Sequence, residues 1–350
     1  MMAAKPLRVG VVGTGFGRYH MEGFSQVPGV EILAICDLNK AEAQQFASQY
    51  GAKYVFTSAK RMFAMDELDA VSIAVPNALH APMTLDALNQ GKHVLIEKPM
   101  TITPADAQKM ADAAKKAGKL LMVEQALRFR PEAQLVKAYA DRGEFGDMYY
   151  ARSTWYRRKG WPHLHMPPDG TLGRGVWFLQ KRLAGFGALG DIGVHLLDLA
   201  WYLMGTPKPV SVSGQLFRQV AVPELKAKGL PAEVEEMAAG LIKFQGGKAI
   251  MVEVSWDTYT QPAMECFLMG NRGGASVFPA RVFRGSDIDE TVDIETHYNG
   301  LPIETAFSHF IDCIRDRRKK CIAPADQNVT LIRMLDALAR SAKSGKEVRL

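Results

Sequence analysis

His93-Val94-Leu95-Ile96-Glu97-Lys98-Pro99-Met100 is the stretch that decides how this 350-residue chain is read. Three aliphatic residues running into polar ones and a proline predict a short strand of a buried parallel sheet, where both faces are apolar. Pro99 disfavours helical backbone at Lys98, so the strand does not roll directly into a helix. Lys98 is then left at the carboxyl end of a strand, the edge at which open α/β sheets bind ligands. Glu97 beside it is placed to hold the ammonium or to contact a ligand.

Upstream, strands and helices alternate. Leu7–Val12 is a β-rich run ending in Gly13-Thr14-Gly15-Phe16-Gly17-Arg18. Gly13 permits a tight turn and Gly15 lets the backbone approach a pyrophosphate. A helix over roughly residues 17–27 points its amino end at that group. The third glycine of the dinucleotide fingerprint falls on Arg18, with Gly17 one place early. The next strand, 31–36, leads into Asp37. An acid about 20 residues past the turn accepts hydrogen bonds from an adenosine ribose and repels a 2′-phosphate, which predicts NAD over NADP. Asp37 can also cap the following helix at 40–50, a role open to Asn39 as well. Strands at 53–56, 70–75 and 120–123 alternate with helices at 58–65, 80–90 and 103–117. This order predicts a doubly wound parallel sheet, a Rossmann-type nucleotide-binding domain over residues 1–124. Gly13, Asp37, Pro76, Asn77, Lys98 and Gln125 then line one carboxyl edge.

After Gln125 the pattern changes. Residues 125–350 predict an α+β domain with a large, mostly antiparallel open sheet. Its strands are expected at 148–157, 210–220, 237–244, 249–256, 264–269 and 275–278, with hairpin signals at Gly246-Gly247 and Gly273-Gly274. Helices are expected at 130–141, 191–204, 304–318 and 326–344. The segment 158–187 is rich in Gly, Pro, Trp and His without periodicity, a composition that long functional loops share. On the helix at 191–204, Asp191 and His195 are four apart and share a face. Asp198 is placed to orient the imidazole. Oxidation of an alcohol by hydride transfer needs a base for the hydroxyl proton and a cation for the developing alkoxide. His195 and Lys98 are residues of those types.

Bulk properties narrow the partners. The chain has 43 Lys and Arg against 37 Asp and Glu, a net charge of +6. The acids are interspersed and no nucleic-acid motif accompanies the excess, which suits anionic small molecules rather than nucleic acid. Four scattered cysteines, Cys36, Cys266, Cys313 and Cys321, lack the spacing of a disulfide framework or a metal site. No metal is expected. No run approaches the ~18 apolar residues of a membrane span, and no signal core precedes the first strand. A cytoplasmic protein without a membrane partner is expected.

Read together, GTGFGRYH at 13–20, PNALHAP at 76–82, GKHVLIEKPM at 91–100, QALRFRP at 125–131 and GALGDIGVHLLDL at 187–199 resemble the Gfo/Idh/MocA oxidoreductases over essentially the whole chain. The resemblance implies NAD(P)-dependent oxidation of a ring hydroxyl on a sugar, anhydrosugar or cyclitol, and a homo-oligomer (dimer or tetramer) formed through the C-terminal sheet. It implies that Lys98, Asp191 and His195 are catalytic, with His195 as acid/base and Lys98 on the reacting hydroxyl. Gly13, Thr14, Gly15, Phe16, Gly17, Asp37, Pro76, Asn77, His80, Glu97, Lys98 and Gln125 are the expected cofactor ligands. Arg128, Tyr156, Arg157, Trp161 and Trp177, with Asp191 and His195, are the expected substrate residues. The Lys98–Pro99 bond is expected to be cis. Gln125 stands where many members carry asparagine. Two other activities stay open: a glycosidase or lyase that uses tightly bound NAD in a transient redox cycle, and a non-catalytic NAD-binding regulator.

Overall fold

The structure is a computed structural model that describes residues 5–160, 174–285, 291–295 and 304–350. By contact the chain divides into two compact units, Met1–Glu124 with Glu304–Val329, and Gln125–Ile303 with Thr330–Leu350. Residues 304–329, expected in the second domain, pack with the first unit instead. The returning segment lies against the sheet, where Val123 N–H donates to Ala323 O and Met122 pairs with Pro324.

The first unit is built on six parallel strands: β1 (Leu7–Val12), β2 (Val30–Cys36), β3 (Tyr54–Phe56), β4 (Ala70–Ile73), β5 (His93–Glu97) and β6 (Leu121–Glu124). Their order is β3-β2-β1-β4-β5-β6, which reverses direction at β1/β4. That reversal is the topological switch point at which doubly wound sheets bind ligands. The sheet is apolar on both faces: Val9, Val11, Val71, Ile73, Val94 and Ile96 are buried. The intervening helices follow local signals. Helix Pro104–Ala117 starts with Thr103 accepting from Asp106 N–H at 3.2 Å, has proline in its first turn, and ends at Gly118 with φ +62°.

The second unit is built on nine strands: β7 (Met148–Tyr156), β8 (Pro209–Phe217), β9 (Met237–Phe244), β10 (Ala249–Ser255), β11 (Ala263–Gly270), β12 (Gly273–Ser276), β13 (Arg281–Gly285), β14 (Thr291–Glu295) and β15 (Val348–Arg349). The order is β14-β13-β12-β11-β7-β10-β9-β8-β15. Every pairing is antiparallel except β7 with β10. Along β9 and β10, Ala238, Ile242, Ile250, Val252 and Val254 point inward with period two. Helix Val194–Leu203 is buried against this face: Ser153 Oγ on β7 donates to Leu196 O at 3.1 Å. The tight turn at Gly246-Gly247 joins β9 to β10 as expected. Gly273-Gly274 instead begins β12, and the turn falls at 271–272. Helix Ala221–Ala227 and strands β13 to β15 were not foreseen. Contrary to the expectation of no such run, the stretch Lys181–Leu203 is long and apolar enough to cross a membrane; most of it is buried inside the unit, as a core helix is.

Candidate active site

In the first unit the glycine turn is shaped for a dinucleotide. Gly13 has φ +88°, and a Cβ there would lie 2.1 Å from Ala74 O. A Cβ on Gly15 would meet nothing within 4 Å, so the backbone at 15 is open to close approach. A Cβ on Gly17 would sit 3.1 Å from Val11 Cγ1, so Gly17 supplies the close helix–strand packing that the usual third glycine gives. Phe16 is exposed.

Asp37 holds this turn in shape. Its Oδ2 accepts from Thr14 N–H at 2.7 Å and from Thr14 Oγ1 at 2.8 Å, and its Oδ1 accepts from Asn39 N–H at 2.8 Å. The helix cap is Asn39, whose Oδ1 accepts from Glu42 N–H at 3.3 Å. Asp37 is therefore free of that duty. The open glycine turn, the helix Gly17–Ser25 behind it and a fixed carboxylate at the end of β2 together fit a nicotinamide dinucleotide.

Lys98 directly follows β5, and the Lys98–Pro99 bond is cis. Lys98 N–H donates to Glu97 Oε2 at 3.0 Å. The other oxygen of Glu97 lies 2.9 Å from His20 Nε2, and His20 Nδ1 lies 2.6 Å from Ser72 Oγ. His20 and Ser72 are buried. His80, expected at the cofactor, is fully buried instead. Its Nδ1 and Nε2 face Pro99 O at 2.8 Å and Val75 O at 2.9 Å, so it braces the two loops that follow β4 and β5. Burial lowers its pKa, against the two carbonyls and Glu97. Pro76 and Asn77 lie on the same loop after β4, with Asn77 buried.

In the second unit, Asp191 and His195 do not share a regular α-helix. Residues Leu189–Gly193 form a π turn that runs into helix Val194–Leu203. Single π turns are concentrated at functional sites. Asp191 is not a cap. Its Oδ2 accepts from Trp256 Nε1 at 3.0 Å and lies 3.6 Å from the Arg157 guanidinium. Arg157 covers the Trp155 ring at 4.8 Å, and the Trp155 and His195 rings are 6.2 Å apart. Asp191, Arg157, Trp155, Trp256 and His195 thus form one cluster. Tyr156 ends β7 half-buried; burial first, then Glu253, raises its pKa and keeps the phenol protonated.

Glu235 is the cap that the sequence did not reveal. Its Oε1 accepts from Gly187 N–H at 2.6 Å and Leu189 N–H at 3.1 Å, while its own carbonyl accepts from Ala188 N–H at 3.1 Å. Gly187 is obligatory here, since a Cβ would fall 1.8 Å from Glu235 O. Burial pushes the carboxyl up to about 7 despite those donors. No short-range pattern marks a cap almost fifty residues away in the chain.

Two expected roles are replaced by scaffolding. Arg128 is fully buried and forms a bidentate pair with Asp198, with Nε and Nη2 each 2.7 Å from a carboxylate oxygen, and its guanidinium lies over the Tyr202 ring at 4.6 Å. It is therefore removed from substrate contact, and Asp198 is committed to it rather than to His195. Gln125 is buried at the start of this unit. Trp177 is half-buried and stacks on Phe178 at 3.8 Å. Trp161 lies outside the described residues. No group of acids, cysteines or histidines suited to a metal occurs among the described residues.

The family model described as "Oxidoreductase family, NAD-binding Rossmann fold" matches residues 7–125, and that described as "GFO/IDH/MocA C-terminal domain" matches 133–276. D-glucoside 3-dehydrogenase of Escherichia coli (strain K12) is 30 % identical over 100 % of this chain and 99 % of its own length. The scyllo-inositol 2-dehydrogenase (NAD(+)) of Bacillus subtilis (strain 168) is 26 % identical over 98 % of this chain and 96 % of its own. A solved structure of levoglucosan dehydrogenase in complex with NADH superposes with a TM-score of 0.84 at 25 % identity, covering 98 % of this chain and 99 % of that one.

Proposed function

The chain belongs to the Gfo/Idh/MocA oxidoreductases, with the family's NAD-binding Rossmann domain, and from that membership we propose that it oxidises a ring hydroxyl of a sugar, anhydrosugar or cyclitol. The nicotinamide, when bound, supplies the hydride acceptor. In this reading His195 takes the hydroxyl proton on a ring nitrogen. Asp191, held by Trp256 and Arg157, orients the substrate or the imidazole. The Lys98 ammonium donates to the reacting oxygen, where a fixed cation stabilises developing negative charge. Tyr156, Arg157 and Trp177 line the substrate side, since aromatic faces and a guanidinium suit sugar rings and hydroxyls. Asp37 selects NAD by repelling a 2′-phosphate.

The observation that carries this reading is the anchoring of Asp191 by Trp256 Nε1 and Arg157, on the segment that runs directly into His195. The first domain is assigned to the cofactor and the second to the substrate. The second sheet has one buried face and carries exposed Tyr149 and Met269, which suits association with a second copy.

The test is nicotinamide reduction by purified protein, with NAD and NADP, across a panel of glucosides, inositols and anhydrosugars. NADH formation on a ring polyol, abolished in Lys98→Met and His195→Asn, is the expected result. Absence of NADH on every member of the panel, with NAD released from the denatured protein, would overturn it in favour of redox-neutral or regulatory use of the cofactor.

A further inference from the structure

The first unit carries a cavity of about 570 Å³ at the amino ends of β1, β4 and β5, lined also by Lys119 ahead of β6 and by Arg315. The proposed reaction uses none of its residues. Strand β5 runs from His93 at this cavity to Glu97, about 13 Å of extended chain away. The glycine turn lies at the carboxyl edge of the same sheet, so a dinucleotide there leaves the cavity empty.

The fold fixes donors around this cavity. Lys92 is buried, and its ammonium donates to Met65 O at 2.6 Å and to Leu68 O at 2.8 Å. An ammonium has three donors, so one remains. His93 Nδ1 accepts from Leu120 N–H at 2.9 Å, which puts the ring proton on Nε2. That N–H has no protein partner among the described residues. Arg315 ends the helix Ala306–Arg315, and its Nη2 is held by Pro28 O at 2.8 Å and Gly29 O at 3.0 Å. The Lys119 ammonium and the Asp66 carboxylate have no hydrogen-bond or ion-pair partner among the described residues. Asp69 is already committed, since its Oδ2 accepts from Arg8 N–H at 2.8 Å. With Lys5, four cations face two carboxylates across the lining, a surplus of two positive charges. Burial first, then Lys119 and Arg317, hold His93 down at about 4, against Asp69. The ring is therefore neutral at neutral pH and donates through Nε2.

We propose that this cavity binds a phosphate monoester of a small polyol. A phosphomonoester carries nearly two negative charges at neutral pH, which matches the surplus; a carboxylate carries one. Lys119, Arg315 and His93 Nε2 donate to the phosphate oxygens, as charge-assisted donors do. Asp66 accepts from a hydroxyl of the polyol. The volume falls within the ~300–1,000 Å³ of small-molecule sites. Bound there, the ligand ties the amino ends of the strands to the returning segment that carries Arg315.

The experiment titrates full-length, NAD-saturated protein with sorbitol 6-phosphate by calorimetry. Saturating NAD keeps the ester off the glycine turn, and an acyclic ester is not a ring substrate. Binding at least ~10-fold tighter than that of sorbitol or inorganic phosphate is the expected result, weakened about tenfold in Lys119→Gln. The unmodified chain gives a readout that needs no variant: on adding the ester, the ring NMR signals of His93 should shift and those of His195 should not. No saturable binding, inorganic phosphate bound as tightly as the ester, or shifts at His195 instead of His93 would overturn the proposal.

Discussion

His20 Nε2 lies 2.9 Å from Glu97 Oε1, and this contact ties the helix behind the glycine turn to the end of the strand that leads into Lys98. The second oxygen of the same carboxylate receives the Lys98 N–H. His20→Ala removes the buried ring that Ser72 Oγ and Glu97 Oε1 both face. A loss of about 1–3 kcal/mol is expected for such a group. Urea unfolding should show a lower midpoint with an unchanged slope; an unaltered midpoint would mean that the contact contributes nothing to the fold.

Asp37 serves the turn and, in the proposed function, the ribose. Asp37→Ser should weaken NAD binding by roughly tenfold, since it removes both the ribose acceptor and the carboxylate that fixes Thr14. NADP should be affected less, because the repulsion of its phosphate is removed as well. Fluorescence titration with the two cofactors measures the ratio. An equal loss for both would show that Asp37 acts only through the turn.

Burial holds Glu235 above its usual 4.5, at about 7, so folding favours its protonated form. The stability this contributes is complete below pH 4.5 and is lost as the pH rises through 7. Glu235→Gln keeps an acceptor for Gly187 and Leu189 without a charge. It should be more stable than the parent chain at pH 8, by a gain on the order of 2–3 kcal/mol, and should match it near pH 4.5. Thermal melts across that range decide the matter, and parallel curves would disprove the assigned titration.

Arg128 and Asp198 are a fully buried bidentate pair. Removing one partner strands a charge in an apolar interior. Arg128→Met should therefore destabilise by about 3–5 kcal/mol, and the double change with Asp198→Leu should restore most of it. Denaturant unfolding of the parent chain and the two variants measures this; a double variant as unstable as the single one would show that lost packing, not the stranded charge, dominates.

Lys98→Met should abolish turnover while leaving NAD affinity within about threefold. Stopped-time assays of NADH beside equilibrium titration separate the two effects. Retained turnover would remove Lys98 from the reaction.

The parallel sheet was legible because its signals are local. Apolar runs bounded by glycine and proline give β1, β4 and β5 within a residue or two, and the parallel pairing follows from the alternation, whereas the strand order β3-β2-β1-β4-β5-β6 does not. Side-chain direction was not legible. His80 and Arg128 sit in motifs beside the sheet edge, yet both turn inward to hold protein groups. The π turn at Leu189–Gly193 shifts Asp191 relative to His195, and spacing alone assumed a regular helix. Glu235 and Trp256 act on Asp191 and its neighbours across long sequence separations, which periodicity does not report. Helix Ala221–Ala227 escaped for a similar reason: Val222 N–H donates to Glu236 at 2.7 Å, a partner supplied from outside the segment.

The segment that pairs with β6 is made long after β6 itself. As the chain leaves the ribosome, the outer backbone of Leu121–Glu124 waits for Ala323 and Pro324, which arrive only with the last helices. An unpaired strand edge is a template for association with other nascent chains, and contacts this distant in sequence close slowly. The nucleotide-binding unit is thus begun before most of the second unit is made and completed only after it, so its folding depends on protection of that edge during synthesis.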